Sequence, residues 1–416
     1  MKRLNKQQRE AVHASANIVY VDAGPGAGKS TVIVARVKYL ISIGIAPKEI
    51  LVLAFNVKVV DELKEKLKNY VGIKIFTFHS FGMSIIKQYK GKKKIKILSD
   101  GEQSKLITQI KKDLAVKNIS NREVWEMLTI CRENPCHLKK YSADLQAVYK
   151  KYVGYLKREK LFDYPRLIRF ANVILQKEML VNYKHILVDE FQDTSQSRLK
   201  LLRLLTCNTS HLFVVGDSDQ QILEWAGVRN NNLERLKKYY SNVKIYTLES
   251  SYRLTPQIAM VANNLIRHGK NRMAKTLRPL SQQSGYFEVK KFDKPEDESQ
   301  WCVQKINFLL RRGVDKKDIA VLVRQEKMLP KSIIETGVVC STIHKAKGLE
   351  FQHVIVLGVE RGIFMGNIEE ERRVLYVAMT RAIKSLVLTY IDDGIRTVGS
   401  EDKRVQKSPF IDELYK

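Results

Sequence analysis

The chain has 416 residues, with 73 Lys and Arg against 44 Asp and Glu for a formal charge of +29, and 44% of its residues are hydrophobic. Such a chain can bury two or three sizeable cores and is not disordered as a whole. Its charge implies a polyanionic partner, and nucleic acid is preferred to a membrane surface because no apolar run approaches the roughly 18 residues of a spanning helix. Five scattered cysteines (Cys131, Cys136, Cys207, Cys302, Cys340) argue against a disulfide framework and for a reducing compartment. The charged start Met1-Lys2-Arg3 shows no signal segment, so a cytoplasmic location is expected.

Residues 4–12 have an amphipathic helical pattern with Asn5 as N-cap. Gln8 within it is either a surface residue or an amide donor and acceptor for an adenine edge. An apolar run then ends at Ala23, and the turn Gly24-Pro25-Gly26-Ala27-Gly28-Lys29-Ser30-Thr31 leads into a helical pattern at Val32, Ile33, Val37, Leu40 and Ile41. Strand, glycine-rich loop and helix in that order make a phosphate cradle. Glycines let the backbone N–H groups turn inward, the helix N-terminus adds positive charge, Lys29 reaches the β- and γ-phosphates, and Ser30 can ligate magnesium. The competing reading is a turn that merely joins strand to helix; the flanking elements favour a nucleoside triphosphate site.

Residues 50–54 and 73–78 read as further buried strands, with a helix over 59–70 between them. Strands alternating with helices predict a parallel, doubly wound sheet, whose ligands collect at the carboxyl ends of the strands. Phe55, Lys58, Thr77, Phe78 and His79 fall there, and the two Phe suit either core packing or base stacking. Residues 85–175 turn helical and carry the run Lys90-Gly91-Lys92-Lys93-Lys94-Ile95-Lys96, a solvated face or a phosphate-backbone contact. A strand over 185–188 delivers Asp189-Glu190-Phe191-Gln192-Asp193-Thr194 at its tip. One acid there can hold magnesium while the next orients or deprotonates the attacking water. The strand 212–215 ends in Gly216-Asp217-Ser218-Asp219-Gln220-Gln221, where a Gln amide can sense a γ-phosphate, and Trp225 follows shortly.

Past residue 248, Tyr252-Arg253 precede a helix opened by Pro256. Strands at 286–292, 319–323, 338–342, 354–357 and 386–390, with helices at 298–311 and 372–382, predict a second α/β lobe. Arg253 and Arg381 within it are either surface ion-pair partners or arginine fingers that stabilise charge on a transferred phosphate.

The stretches AGPGAGKST, VDEFQDTS, GDSDQQI, SSYR, STIHKAKGLEF and YVAMTRA follow one another in that order. With them the chain resembles the UvrD/Rep family of superfamily 1A DNA helicases over nearly its whole length. The resemblance implies an α/β protein of two RecA-like parallel-sheet domains flanking an ATP cleft. Residues 1–84 and 176–250 would be domain 1A, 85–175 a helical 1B insertion, and 251–416 domain 2A. It also implies ATP and Mg2+ as cofactors. Gln8 matches the adenine-reading glutamine, and Gly24, Gly26, Ala27, Gly28, Lys29, Ser30 and Thr31 the phosphate loop, with Ser30 and Asp189 at the metal. Glu190 matches the base, Gln220 the γ-phosphate sensor, Tyr252 the aromatic beside adenine, Arg253 and Arg381 the two fingers, and Glu350 a nucleotide contact.

Phe55, Lys58, Thr77, His79, Trp225, Thr342 and His344 fall where relatives stack bases or hold phosphates. That set implies 3′–5′ movement along single-stranded DNA, action at single-strand/double-strand junctions, and a monomer when alone. Departures from the family are Thr31 in place of an Arg, and Leu223 and Ala226 in place of Tyr and Arg. Only residues 325–341 separate Arg324 from Thr342, where relatives insert a 2B subdomain, and no nuclease motif follows. Two other readings stand beside helicase action. One is a DNA-stimulated translocase serving a nuclease, repair or replication partner without unwinding alone; the other is an ATP-gated nucleic-acid-binding switch.

Overall fold

The structure is a computed structural model and describes residues 4–91, 95–133, 135–178, 180–206, 210–223, 232–270 and 272–415. The chain divides into two compact units. One comprises Met1–Asp22, Lys29–Gly216 and Leu223–Tyr246; the other comprises Ala23–Gly28, Asp217–Ile222 and Thr247–Lys416.

The first unit starts with α1 (Lys6–Val12), β1 (Ile18–Ala23), α2 (Lys29–Ser42), β2 (Ile50–Ala54), α3 (Val57–Lys66), β3 (Lys74–Thr77) and α4 (Phe78–Lys90). The helices α5 (Asp100–Asp113), α6 (Asn121–Glu133), α7 (Ala143–Arg158) and α8 (Tyr164–Lys177) follow. The chain then returns to the sheet through β4 (His185–Val188), α9 (Gln196–Leu205), β5 (His211–Gly216), α10 (Asn232–Tyr239) and β6 (Val243–Leu248). The strand order is β3-β2-β4-β5-β1-β6, and β1 to β5 pair in parallel. Every residue of β1, β2 and β4 is buried, as a sheet covered on both faces requires. Each such Val, Leu or Ile contributes about 1.5–3 kcal/mol on leaving water.

Asn5 caps α1 as expected, and Gln8 completes the box: Gln8 N donates to Asn5 Oδ1 at 2.8 Å and Asn5 N to Gln8 Oε1 at 3.1 Å. Asn56 caps α3, which begins at Val57 and stops at Lys66, earlier at both ends than the predicted 59–70. Helices α5 to α7 have a core of their own, built on Ile107, Val124, Met127, Leu128, Val148 and Leu156. Beside it, Arg132 forks onto the buried carboxylate of Asp163, which also accepts from Arg166 N to cap α8. Positions 85 and 175 lie inside α4 and α8. Of the lysine run, Lys92 to Lys94 lie outside the described residues.

The second unit holds β7 (Ser250–Ser251), α11 (Pro256–Arg267), β8 (Arg278–Pro279), β9 (Tyr286–Phe292), α12 (Pro295–Arg311) and β10 (Ile319–Val323). It continues with α13 (Lys331–Ile334), β11 (Val339–Thr342), β12 (Phe351–Val356), β13 (Glu360–Arg361), α14 (Ile368–Met379) and β14 (Ala382–Ile391). It ends in the hairpin β15 (Gly394–Val398) and β16 (Glu401–Lys407) and the helix α15 (Pro409–Glu413). Its parallel sheet runs β11-β10-β12-β14-β9.

Asn367 caps α14, and three glutamates occupy its first turn, so the helix begins at Ile368 and not at the predicted 372. It ends at Met379 because Ala382 already belongs to β14. β12 starts at Phe351 and not at 354. The hairpin, unmarked in the sequence, is tied inward by Arg396, which forks onto Glu360 and reaches Glu298 on α12. Among the described residues, no helix is long and apolar enough to cross a membrane.

Candidate functional site

Because β1 to β5 are parallel, their carboxyl ends share one edge of the sheet, and the residues leaving them are those expected to act. Lys29 opens α2 after β1, Phe55 follows β2, Thr77 ends β3, Asp189 and Glu190 follow β4, and Asp217 follows β5. Asp189 N extends the ladder by donating to Leu53 O at 2.9 Å, and its Oδ1 accepts from Glu190 N at 2.9 Å. Burial first, and then the adjacent Glu190 carboxylate, push the Asp189 carboxyl above the usual carboxylate range. Glu190 is left-handed, with φ 48° and ψ 47°, a rare backbone for a residue with a side chain. Its carboxylate takes the Gln192 amide and stands 3.6 Å from Lys29 Nζ. Gly216 permits this packing, since a Cβ there would meet Gln192 Oε1 at 2.6 Å.

This set fits a magnesium–triphosphate complex. A buried acid whose charge is opposed by a second acid is what a hard divalent cation relieves, and Ser30 adds an oxygen donor type on the first turn of α2. Thr31 is exposed on the same turn.

Residues 23–28 and 217–222 belong to the second unit. Gly24 N donates to Leu248 O, Tyr252 N to Gly26 O and Ser251 Oγ to Pro25 O, so the loop rests on the segment 248–252. Gly26 (φ 72°) and Gly28 (φ 81°) have left-handed backbones. A Cβ on Gly26 would lie 2.6 Å from Arg253 Cβ and 2.7 Å from Ser251 Oγ, so glycine is demanded there by the protein's own packing as well as by any phosphate. Ala27 is buried. Gln220 is 3% exposed, and its Nε2 is buried without a hydrogen-bond partner among the described residues, which is how an amide waiting for a ligand oxygen would look.

Arg253 pairs with Glu350, so two residues expected at the nucleotide bind each other in this structure. Arg381 is 2% exposed and directs Nε to Val377 O and Nη1 to Leu349 O, both at 3.0 Å. Glu350 precedes β12 and Arg381 precedes β14, and Phe351 N donates to Arg381 O. Thr342 ends β11, with His344 two residues beyond, and Arg324 follows β10. The parallel sheet therefore sends Glu350 and Arg381 to one edge and Arg324, Thr342 and His344 to the other.

Of the residues expected to hold DNA, Lys58 is exposed, while Thr77 is taken up in capping α4 with Ser80. Phe78 is a core residue; Phe55 is half-buried, with the Arg198 guanidinium 4.9 Å from its ring centre and 5.5 Å from that of Phe78. His79 packs on Tyr164 at 4.7 Å, and burial, then Arg198, lower its pKa to about 4. Burial, then Arg324, lower His344 to about 4 as well. Both rings are neutral at neutral pH, so they can stack or donate an N–H to phosphate but bring no charge. Trp225 and Ala226 lie outside the described residues, and Tyr252 is exposed.

Several neighbours of these residues carry no sequence signal of their own. Arg198 is a half-buried residue of α9, and Arg324 reveals its role only through its fork onto Glu371 at 2.9 Å. Arg272 and Lys275 occupy an irregular stretch after α11. They reach the 217–220 turn: Arg272 forks onto Asp219, and Lys275 Nζ lies 2.7 Å from Asp217 Oδ1. Burial pushes Asp219 up, yet Lys275 and Arg272 hold it below the usual range.

A family model described as the UvrD/REP helicase N-terminal domain matches residues 4–241. A second, the UvrD-like helicase C-terminal domain, matches residues 246–336 and 326–393, two pieces that overlap on the link between β10 and β11. A probable DNA helicase of Mycoplasma pneumoniae is 31% identical, aligned over 94% of this chain and 84% of the relative. An ATP-dependent DNA helicase Rep of Buchnera aphidicola is 28% identical over 80% of this chain and 57% of its own length. An ATP-dependent DNA helicase PcrA of Bacillus subtilis is 29% identical over 80% of this chain and 49% of its own length. The chain thus spans about half the length of the Rep and PcrA relatives.

Proposed function

Because this chain belongs to the UvrD/REP helicase family, we propose that it is an ATP-dependent DNA helicase moving 3′ to 5′ along single-stranded DNA and opening duplex at junctions. The observation that carries the reading is the tip of β4, where buried Asp189 and left-handed Glu190 stand with Lys29 at 3.6 Å. In this reading Lys29 and the backbone of Gly24, Gly26, Ala27, Gly28 and Thr31 hold the phosphates, and Ser30 and Asp189 hold magnesium. The bound metal would supply charge neutralisation to the β- and γ-phosphates. Glu190 accepts the proton of the attacking water, its carboxylate aimed by the backbone turn and by Gln192. Gln220 offers its unengaged Nε2 to the γ-phosphate. Gln8, Tyr252 and Glu350 contact the rest of the nucleotide.

Arg253 acts as a finger by exchanging Glu350 for phosphate, and Arg381 by giving up carbonyl partners. Phe55, Lys58, Thr77, His79, Trp225, Thr342 and His344 hold the strand by stacking and backbone contacts, without sequence preference. A protein partner in repair or replication fits this chemistry, with the cytoplasm as its place.

The test is ATP hydrolysis by the purified protein with and without oligo-dT, with Lys29→Ala as control. Stimulation that Lys29→Ala abolishes supports the motor; hydrolysis indifferent to DNA refutes it. A second reading, translocation without unwinding alone, is favoured by the short link between β10 and β11, which holds only a 3-10 turn over Glu326–Met328 and the short helix α13. A forked duplex left intact by a protein that hydrolyses ATP would select it.

A further inference from the structure

The turn that carries Gln220 is held from several sides, while its side-chain amide is held by nothing described. Asp217 caps the turn, accepting from Asp219 N at 3.0 Å, and Gln220 N donates to Asp217 O at 3.0 Å. The same Asp217 Oδ1 receives Lys275 Nζ at 2.7 Å, with both side chains buried. Arg272 closes the other side, with Nε to Asp219 Oδ1 at 3.0 Å and Nη2 to Asp219 Oδ2 at 2.8 Å. Nη2 also donates to Lys275 O at 2.9 Å, which joins the two cations into one clamp. Lys347 Nζ then donates to Gln220 O at 2.8 Å, and the fully buried Tyr376 of α14 lies against the two acids.

We propose that Arg272 and Lys275 are positioning residues for nucleotide hydrolysis: by fixing Asp219 and Asp217 they set the direction of the Gln220 amide. This rests on the ATPase reading above and names two residues that neither the motifs nor the family resemblance supplied. The clamp works through geometry, because the guanidinium fork fixes the carboxylate plane and not merely its charge. A carboxylate free to swing would let the turn, and with it Gln220 Nε2, drift by a fraction of an ångström to an ångström. A misplacement of ~1 Å in a catalytic group costs on the order of 100-fold in rate. An ion cluster that served folding alone would change the melting temperature and leave the turnover of the folded protein untouched.

Arg272→Lys keeps the charge and removes the fork. With the full chain and saturating oligo-dT, we expect its kcat for ATP to fall about 10-fold or more, while the Kd of a fluorescent ATP analogue shifts by less than about 3-fold. In a Gln220→Ala background the same substitution should cost nothing further, because its effect passes through Gln220. Asp219→Asn, which keeps the size of the side chain, serves as the second variant should Arg272→Lys fold poorly, and the same pattern is expected. Wild-type kcat in both variants, or a loss that multiplies with that of Gln220→Ala, overturns the proposal. If the unsubstituted protein shows no Lys29-dependent hydrolysis, the ATPase reading and this inference fall together; if it hydrolyses normally and the variants match it, only the inference falls.

Discussion

Replacing Arg396 by Met should destabilise the second unit in a way that depends on pH. Arg396 places Nε and Nη2 on Glu360 at 2.8 and 2.6 Å and Nη1 on Glu298 at 2.8 Å, and all three side chains are buried. Glu360 also accepts from Ile391 N and Glu298 from Thr389 Oγ1, so the carboxylates stay in place when the cation leaves. Removing one partner of a buried ion group costs about 3–5 kcal/mol, because charge is left uncompensated. Burial already raises Glu360 in the intact protein, with Arg396 pulling it back; without Arg396 it rises further.

A native carboxyl raised above its unfolded value, near 4.3, binds more protons than the unfolded chain, so stability falls as pH climbs through that window. The slope is up to about 1.4 kcal/mol per pH unit for Glu360. Urea unfolding read by Trp301, which lies on α12 with Glu298, in a Trp125→Phe, Trp225→Phe background, isolates this unit. The expected deficit is about 3–5 kcal/mol at pH 8, shrinking by half or more at pH 5. An equal deficit at both pH values would refute the argument.

Gly26→Ala should weaken the Kd of a fluorescent ATP analogue about 10-fold or more, since an αL Ala costs about 1–2 kcal/mol before its Cβ meets Arg253 and Ser251. Arg198→Ala removes the cation from the Phe55 and Phe78 rings, and at about 0.5–1 kcal/mol for such a contact oligo-dT affinity in an anisotropy titration should drop roughly 2- to 5-fold. His79 and His344 are both depressed to about 4, so the unfolded chain takes their protons first. Stability should therefore be lost as pH falls from about 6.5 towards 4, and His79→Gln should flatten part of that slope in a denaturation series.

The strands at 50–54, 185–188 and 319–323 are legible in the sequence to the residue, because short apolar runs bounded by turns have few other uses. Helix ends are less so. α14 starts six residues before its apolar stripe opens at Val374, on the cap Asn367 and a first turn of glutamates whose charge suits the helix N-terminus. The hairpin 394–407 is mixed and mostly exposed, and its one buried charge, Arg396, has partners 36 and 98 residues away. The strand-tip acids and the glycine loop announce themselves because their chemistry needs adjacent residues. The pairing of Arg253 with Glu350 and the clamp of Arg272 and Lys275 on Asp219 and Asp217 join residues far apart in the chain, which no local pattern encodes.

The second sheet sends Glu350 and Arg381 to one rim and Thr342, His344 and Arg324 to the other, and β12 alone, at about 3.3 Å per residue, puts roughly 20 Å between them. A plate of strands packed on both faces resists bending and shear, so a push received at one rim is delivered at the other as displacement of the whole plate. The sheet is then a stiff piston: what happens at one end sets position at the other with little loss to local relaxation. Softening its middle, as with Ile355→Ala, would leave every named contact intact and let the two rims fall out of step.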